Sequence, residues 1–140
     1  VWRLPTFAEI ADSHPTALEE CKLGFRSKYI RGTARFLANR PGWLDETQAL
    51  PYPKAKERMM LLPGVGEKIA DCVLLFGAGK FEAFPVDTWI SQTLSKRYRL
   101  NGWNNRQLAE FGRIHFGPSA GLAQQFIFPW ERQVGQANNG

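Results

Sequence analysis

The sequence has little sulfur and no long apolar run. Two cysteines in 140 residues cannot build a disulfide framework. Nor can they supply four ligands to a zinc ion or an iron–sulfur cluster. No metal and no cofactor are therefore expected. No stretch approaches the roughly 18 apolar residues of a membrane-spanning helix, so no membrane partner is expected. A charged leader followed by an apolar segment is also missing, and no secretory signal is read. There is no internal repeat, no low-complexity tract, no convincing hairpin and no alternating strand of useful length. What is left is a chain with 44% hydrophobic and 22% charged residues, the composition of one ordinary globular domain able to bury a core.

Positive charge is in excess. Eighteen Lys and Arg stand against thirteen Asp and Glu, a net charge of +5. That balance favours a polyanionic partner such as nucleic acid, although many soluble proteins carry as much. Two basic stripes stand out, Lys28, Arg31 and Arg35, and Lys96, Arg97 and Arg99. Both read more simply as solvated faces. The chain opens on Val1-Trp2-Arg3-Leu4-Pro5, which reads as a mid-protein loop, and a fragment of a longer protein is expected. The polar end, Gln136 to Gly140, is expected to fray.

The punctuation is that of short helices, and the class read from it is all-α. Thr6 with Glu9, and Thr16 with Glu19, have the spacing of capping boxes. Gly24 stands where a glycine after a helix belongs. Ile30, Ala34, Leu37 and Ala38 mark one face of a helix from Ser27 to Asn39. Pro53 opens a helix running to Leu61 or Leu62. Pro63-Gly64-Val65-Gly66 is a tight turn, and Glu67 to Phe76 follows as a mostly apolar, buried helix ended by Gly77-Ala78-Gly79. Phe84-Pro85-Val86 is extended, because the residue before a proline avoids the helical region. Asp87 then caps a helix from Thr88 to Tyr98. Asn105 caps a helix through Phe116, and Ser119 caps a last helix that Pro129 stops after Phe128.

The informative stretch is Leu61-Leu62-Pro63-Gly64-Val65-Gly66-Glu67-Lys68-Ile69-Ala70-Asp71-Cys72. One helix ends, a Gly-x-Gly turn follows, and another helix begins at once. The two glycines allow a sharp turn and leave no Cβ in the way of a ligand. Gly64, Val65 and Gly66 then lead into a helix N-terminus whose free amides suit a phosphate, with no base being read. Two rival motifs fail. Gly77-Ala78-Gly79-Lys80 lacks the hydroxyl residue of a P-loop, since Phe81 follows. Gly64-Val65-Gly66 follows a helix rather than a strand, so it is no dinucleotide fingerprint.

Leu62-Pro63-Gly64-Val65-Gly66-x-Lys68-x-Ala70-Asp71-Cys72, with Phe84-Pro85-Val86-Asp87 after it, resembles the helix-hairpin-helix DNA glycosylase superfamily. More narrowly it resembles the bacterial type of 8-oxoguanine DNA glycosylase/AP lyase. Gly24-Phe25-Arg26-Ser27-Lys28-Tyr29-Ile30 and the run Phe116 to Phe128 are similar to further segments of that branch. The resemblance implies a helical catalytic domain, incomplete at its N-terminus, with the helix-hairpin-helix at about residues 54–77. It implies base-excision repair: removal of 8-oxoguanine from damaged double-stranded DNA through a lysine Schiff base, then strand cleavage by β-elimination. A monomer in the bacterial cytoplasm, associated with the nucleoid, goes with that activity. A glycosylase for another damaged base, or a non-catalytic helix-hairpin-helix DNA-binding module, are the alternatives.

By the same resemblance Lys68 is the nucleophile and Asp87 the catalytic carboxylate. Cys72 and Phe128 pack on the two faces of the extruded base, and Gln124 hydrogen-bonds its edge. The residues allow these roles. Cys72 lies four positions after Lys68, and Phe128 four after Gln124, so each pair shares a helix face. An amine attacks only when neutral, so the Lys68 pKa must fall by roughly 3 for attack near neutral pH, about 4 kcal/mol. A helix N-terminus supplies about 0.3–1 kcal/mol of this. Desolvation in a pocket is expected to supply the rest. The chain departs from the family in lacking its N-terminal β-rich domain and its Asn-rich segment, and in carrying Trp89 where animal members usually have a histidine for phosphate contact.

Overall fold

The computed structural model describes residues 2–137, and the described residues are helical with no strand. The chain divides into two compact units, residues 1–65 and 66–140. The division falls inside the glycine turn.

The first unit holds α1 (Phe7–Asp12), α2 (Pro15–Glu20), α3 (Arg26–Ala38), α4 (Trp43–Ala49) and α5 (Tyr52–Met59). Thr6 and Glu9 form the expected capping box on α1, with Arg3 clamped on the Glu9 carboxylate at 2.6 Å. The second box does not form. His14 caps α2 instead and Pro15 opens it, because a proline needs no amide partner in a first turn and its fixed φ starts the helix there. The left-handed residue after α2 is Lys22, at φ +54°, while Gly24, at φ +58°, lies just before α3. α4 has no counterpart in the reading of the sequence. Its buried stripe is only Trp43 and Thr47, one turn apart, too short to show a period. Pro53 falls at the second position of α5, behind Tyr52.

Ala34 and Leu37 of α3, Trp43, Tyr52, Ala55, Met59 and Leu62 are the buried apolar residues of this unit. Each large one contributes about 1.5–3 kcal/mol by burial. Trp43 also meets the Phe36 ring edge-on at 5.3 Å. After α5 the chain turns at Leu62, whose carbonyl accepts from the Val65 amide at 3.1 Å. Gly64 takes φ +73°, and a methyl group there would sit 2.4 Å from the Tyr29 ring. Only glycine fits that position, both for its backbone and for the space.

The second unit holds α6 (Glu67–Phe76), α7 (Thr88–Tyr98), α8 (Asn105–Phe116), a short 3-10 turn (Gly117–Ser119) and α9 (Ala120–Ala137). Its core is Phe84, Val86, Ile90, Leu94, Leu108, Ala109 and Ala120. Gly112 of α8 lets the Phe84 ring lie where a Cβ would be 2.4 Å from it. α6 and α7 have the expected bounds. α8 is capped by Asn104 rather than Asn105, with Gln107 completing a capping box.

Two expectations fail here. α6 is not buried all round: Ala70, Asp71, Leu74 and Leu75 face inward, while Ile69, Val73 and Phe76 are exposed. Leu122, Phe126 and Trp130 of α9 are exposed as well, so α6 and α9 both present apolar side chains to solvent. Pro129 does not stop α9, which runs on to Ala137 and so includes two residues of the tail expected to fray. An internal proline costs about 3 kcal/mol. The turn beyond it is tied to α7, where Arg97 pairs with Glu131 at 2.6 Å and lies over the Trp130 ring at 4.0 Å. Among the described residues, no helix is long and apolar enough to cross a membrane.

Candidate active-site cleft

The second unit carries a cleft of about 230 Å³ lined by Lys68, Cys72, Phe76, Pro85, Asp87, Gln124 and Phe128. All five side chains singled out for catalysis and base contact are in it. Lys68, Cys72 and Phe76 occupy successive turns on one side of α6. Gln124 and Phe128 do the same on α9, and Pro85 and Asp87 come from the extended segment before α7. Phe76 and Pro85 escaped the reading of the sequence. Phe76 was detectable, since it continues the Lys68–Cys72 spacing. Pro85 was not, because it acts through its carbonyl.

Asp87 is fixed by its own helix. One carboxylate oxygen accepts the Ile90 amide at 2.8 Å, a helix cap in the ordinary sense. The other oxygen makes no hydrogen bond among the described residues, which leaves charge for the cleft. Gln124 is buried, and its amide nitrogen donates to the Pro85 carbonyl at 3.2 Å. A carbonyl only accepts, so this bond sets which end of the amide faces Pro85. The Gln124 oxygen accepts from Gln125. One donor and one acceptor site of Gln124 remain beyond these bonds.

Electrostatically the cleft is mixed. Burial pushes the Cys72 thiol up from its ordinary range, with Asp71 and Asp87 adding to the rise and Lys68 opposing it. Cys72 therefore faces the cleft as a neutral, polarisable thiol rather than a thiolate. Lys68 and Asp87 thus act on the same sulfur in opposite senses.

Lys68 departs from expectation. It lines the cleft, yet the residue is exposed. The position explains this: Lys68 is in the first turn of α6, on the side away from Ala70, Leu74 and the core. The chain by itself does not enclose the amine. Gly66, which caps α6, has no internal reason to be glycine. Its φ is −96°, and a methyl group built on it would meet nothing within 4 Å. Its bare surface adjoins the first-turn amides of α6, which have no intrahelical partner.

No protein-family model matches the chain. A probable N-glycosylase/DNA lyase of Methanothermobacter thermautotrophicus is 38% identical over 118 residues, covering 84% of this chain and 38% of that protein. Among solved structures, the Clostridium acetobutylicum 8-oxoguanine glycosylase/lyase in complex with double-stranded DNA containing cytosine opposite 8-oxoguanine superposes with a TM-score of 0.89. The two are 32% identical, over 96% of this chain and 46% of that one. The DNA-free form of the same enzyme gives 0.85 at 34% identity, over 91% of this chain and 45% of that one. The chain belongs to the helix-hairpin-helix DNA glycosylase superfamily. The stretch expected to hold the helix-hairpin-helix, about residues 54–77, takes in most of α5 (Tyr52–Met59), the turn at Pro63–Gly66 and α6 (Glu67–Phe76). The chain spans less than half the length of the relatives it matches.

Proposed function

We propose that the chain is the helical catalytic portion of a longer DNA glycosylase/AP lyase that removes 8-oxoguanine from damaged double-stranded DNA. The observation that carries the reading is the meeting of Lys68 and Asp87 in one cleft with Cys72, Gln124 and Phe128. An amine, a carboxylate with one oxygen to spare, a neutral thiol, an amide and an aromatic ring are what Schiff-base excision of a flat base requires.

The target nucleotide leaves the helix stack, which costs a few kcal/mol. Its base enters between Cys72 and Phe128, with Gln124 offering its remaining donor and acceptor to the base edge. The Lys68 amine attacks C1′, and the glycosidic electron pair leaves with the base. Positive charge grows on the sugar as that bond opens, and the Asp87 carboxylate stabilises it. The amine loses a proton, the sugar ring opens, and a Schiff base forms. Loss of the proton on C2′ then expels the 3′ phosphate by β-elimination. Because Lys68 is exposed in the free chain, the DNA itself supplies the covering that removes water from the amine. The amides of the α6 first turn and the Gly64-Val65-Gly66 turn hold a backbone phosphate. A monomer suffices, and chromosomal DNA in a bacterial cytoplasm is the place of action.

Borohydride trapping tests the proposal. The full-length protein should give a covalent adduct with a duplex containing 8-oxoguanine or an abasic site, and Lys68→Gln should abolish it. No adduct, or an adduct that survives the substitution, refutes the mechanism. Preferential excision of thymine glycol or 3-methyladenine would refute the substrate assignment alone. Salt-sensitive binding with no turnover of any lesion would leave only a DNA-binding module.

A further inference from the structure

The first unit contains a second cleft, of about 280 Å³, between α2 and α3. Its walls are Pro15, Leu18 and Glu19 on one side and Ser27, Lys28, Arg31, Gly32 and Arg35 on the other. Lys28, Arg31 and Arg35 are the basic stripe that the sequence suggested was a solvated face. Their spacing of three and four residues puts them on one side of α3, and the structure turns that side into a concave wall. Three cations line the cleft against one carboxylate, Glu19.

None of the three has an acidic partner among the described residues. Lys28 lies over the Tyr29 ring at 4.9 Å. Arg31 gives one hydrogen bond to the Ser13 carbonyl at 2.6 Å, which pins its guanidinium, and its Nε is buried without any acceptor. An orphaned buried donor is uncommon in a native protein. A cluster of like charges around a cleft, with one guanidinium anchored, is an arrangement that an acceptor-rich anion completes.

We propose that the α2–α3 cleft binds a phosphate group, with Arg31 and Arg35 as its forked donors and Lys28 as a third cation. Two sources present that group, a DNA backbone phosphodiester and free phosphate. The proposal does not depend on base excision, since neither ligand needs a lesion.

The test reads the arginine Nε–H resonances of the full chain in proton–nitrogen correlation spectra. Inorganic phosphate should shift the Arg31 and Arg35 signals, and Lys28→Gln with Arg35→Gln should weaken that response about tenfold. Glu19→Gln, which removes the opposing charge without touching a donor, should strengthen it. The Glu19 variant and the double variant change only half-solvated or exposed side chains, so the folded spectrum serves as their control. An unmodified DNA duplex added in turn identifies the source. If it shifts the same resonances, and the double variant makes the slope of log affinity against log salt shallower by about 0.9 for each cation removed, the ligand is the DNA backbone. If only inorganic phosphate shifts them, the cleft takes free phosphate. If neither moves Arg31 or Arg35, or if Glu19→Gln weakens the response, the proposal is overturned. A full-length protein that traps no DNA adduct yet shows the shifts would refute base excision and leave this site standing.

Discussion

Asp87 holds two jobs in one side chain, and substitution can separate them. As a cap it accepts the Ile90 amide at 2.8 Å, through one oxygen. As a charge it lines the cleft that contains Lys68. Asparagine caps a helix as well as aspartate and keeps the same accepting oxygen, but it carries no charge. Alanine removes both. Asp87→Ala should therefore lower stability by about 1 kcal/mol, near 4 °C in Tm for a chain of this size. Asp87→Asn should leave Tm within about 1 °C of the parent. In borohydride trapping on an abasic duplex, the two variants should fall together, by about a hundredfold or more, since both lose the carboxylate facing the developing cation. Differential scanning calorimetry and single-turnover trapping of the full-length protein check the two halves. An asparagine variant that keeps full rate would show that Asp87 is a cap and nothing else. An asparagine variant that unfolds like alanine would show that the cap depends on charge, and the division of roles would be wrong.

The two hairpin glycines should behave in opposite ways. Gly66→Ala meets nothing within 4 Å at an ordinary φ, so Tm should hold while DNA affinity by fluorescence anisotropy falls. Gly64→Ala places a methyl group 2.4 Å from the Tyr29 ring at φ +73° and should lower Tm. Equal stability of both variants would refute the assignment. Gly121→Ala drives a methyl group to 2.4 Å from Leu75 and 2.6 Å from the Ala83 carbonyl. A backbone oxygen does not yield, so a loss of about 1–3 kcal/mol in urea unfolding is expected, and an unchanged midpoint would refute it. Arg3 and the Thr6 cap hold the Glu9 carboxyl down to about 2 from an ordinary 4.5. The folded state is thus the weaker proton binder, and the support Glu9 gives α1 is present above about 4.5 and lost as pH falls through about 2. Amide chemical shifts of α1 should report that fraying, and Glu9→Gln should remove its pH dependence. A parent and variant that fray alike would refute the role of Glu9.

The side chains that line the cleft were legible because their spacing is local. Lys68 and Cys72 are one turn apart on α6, Gln124 and Phe128 one turn apart on α9, and Asp87 caps the helix it begins, so short-range spacing determines each pair. Helix starts were legible where a side chain caps its own amide, as at Thr6 and Asp87. They were misread where proline overrides the spacing, as at Pro15. The end of α9 was misread because Arg97, 34 residues from Glu131, fastens the turn beyond Pro129. No local rule contains such a pairing.

Only the tertiary structure could decide what lies across from what. It brought the α6 and α9 pairs to the same cleft, and it spent part of the Gln124 amide on the Pro85 carbonyl. It left Lys68 in the open, contrary to the enclosure expected of the chain from the chemistry of the amine. It also folded α2 beside a stripe of cations that read in the sequence as plain solvated surface. The physical reason is common to all four. Spacing along a helix fixes neighbours at the scale of one turn, whereas burial, charge pairing and concavity are set by residues distant in sequence, whose approach is determined by the packing of cores.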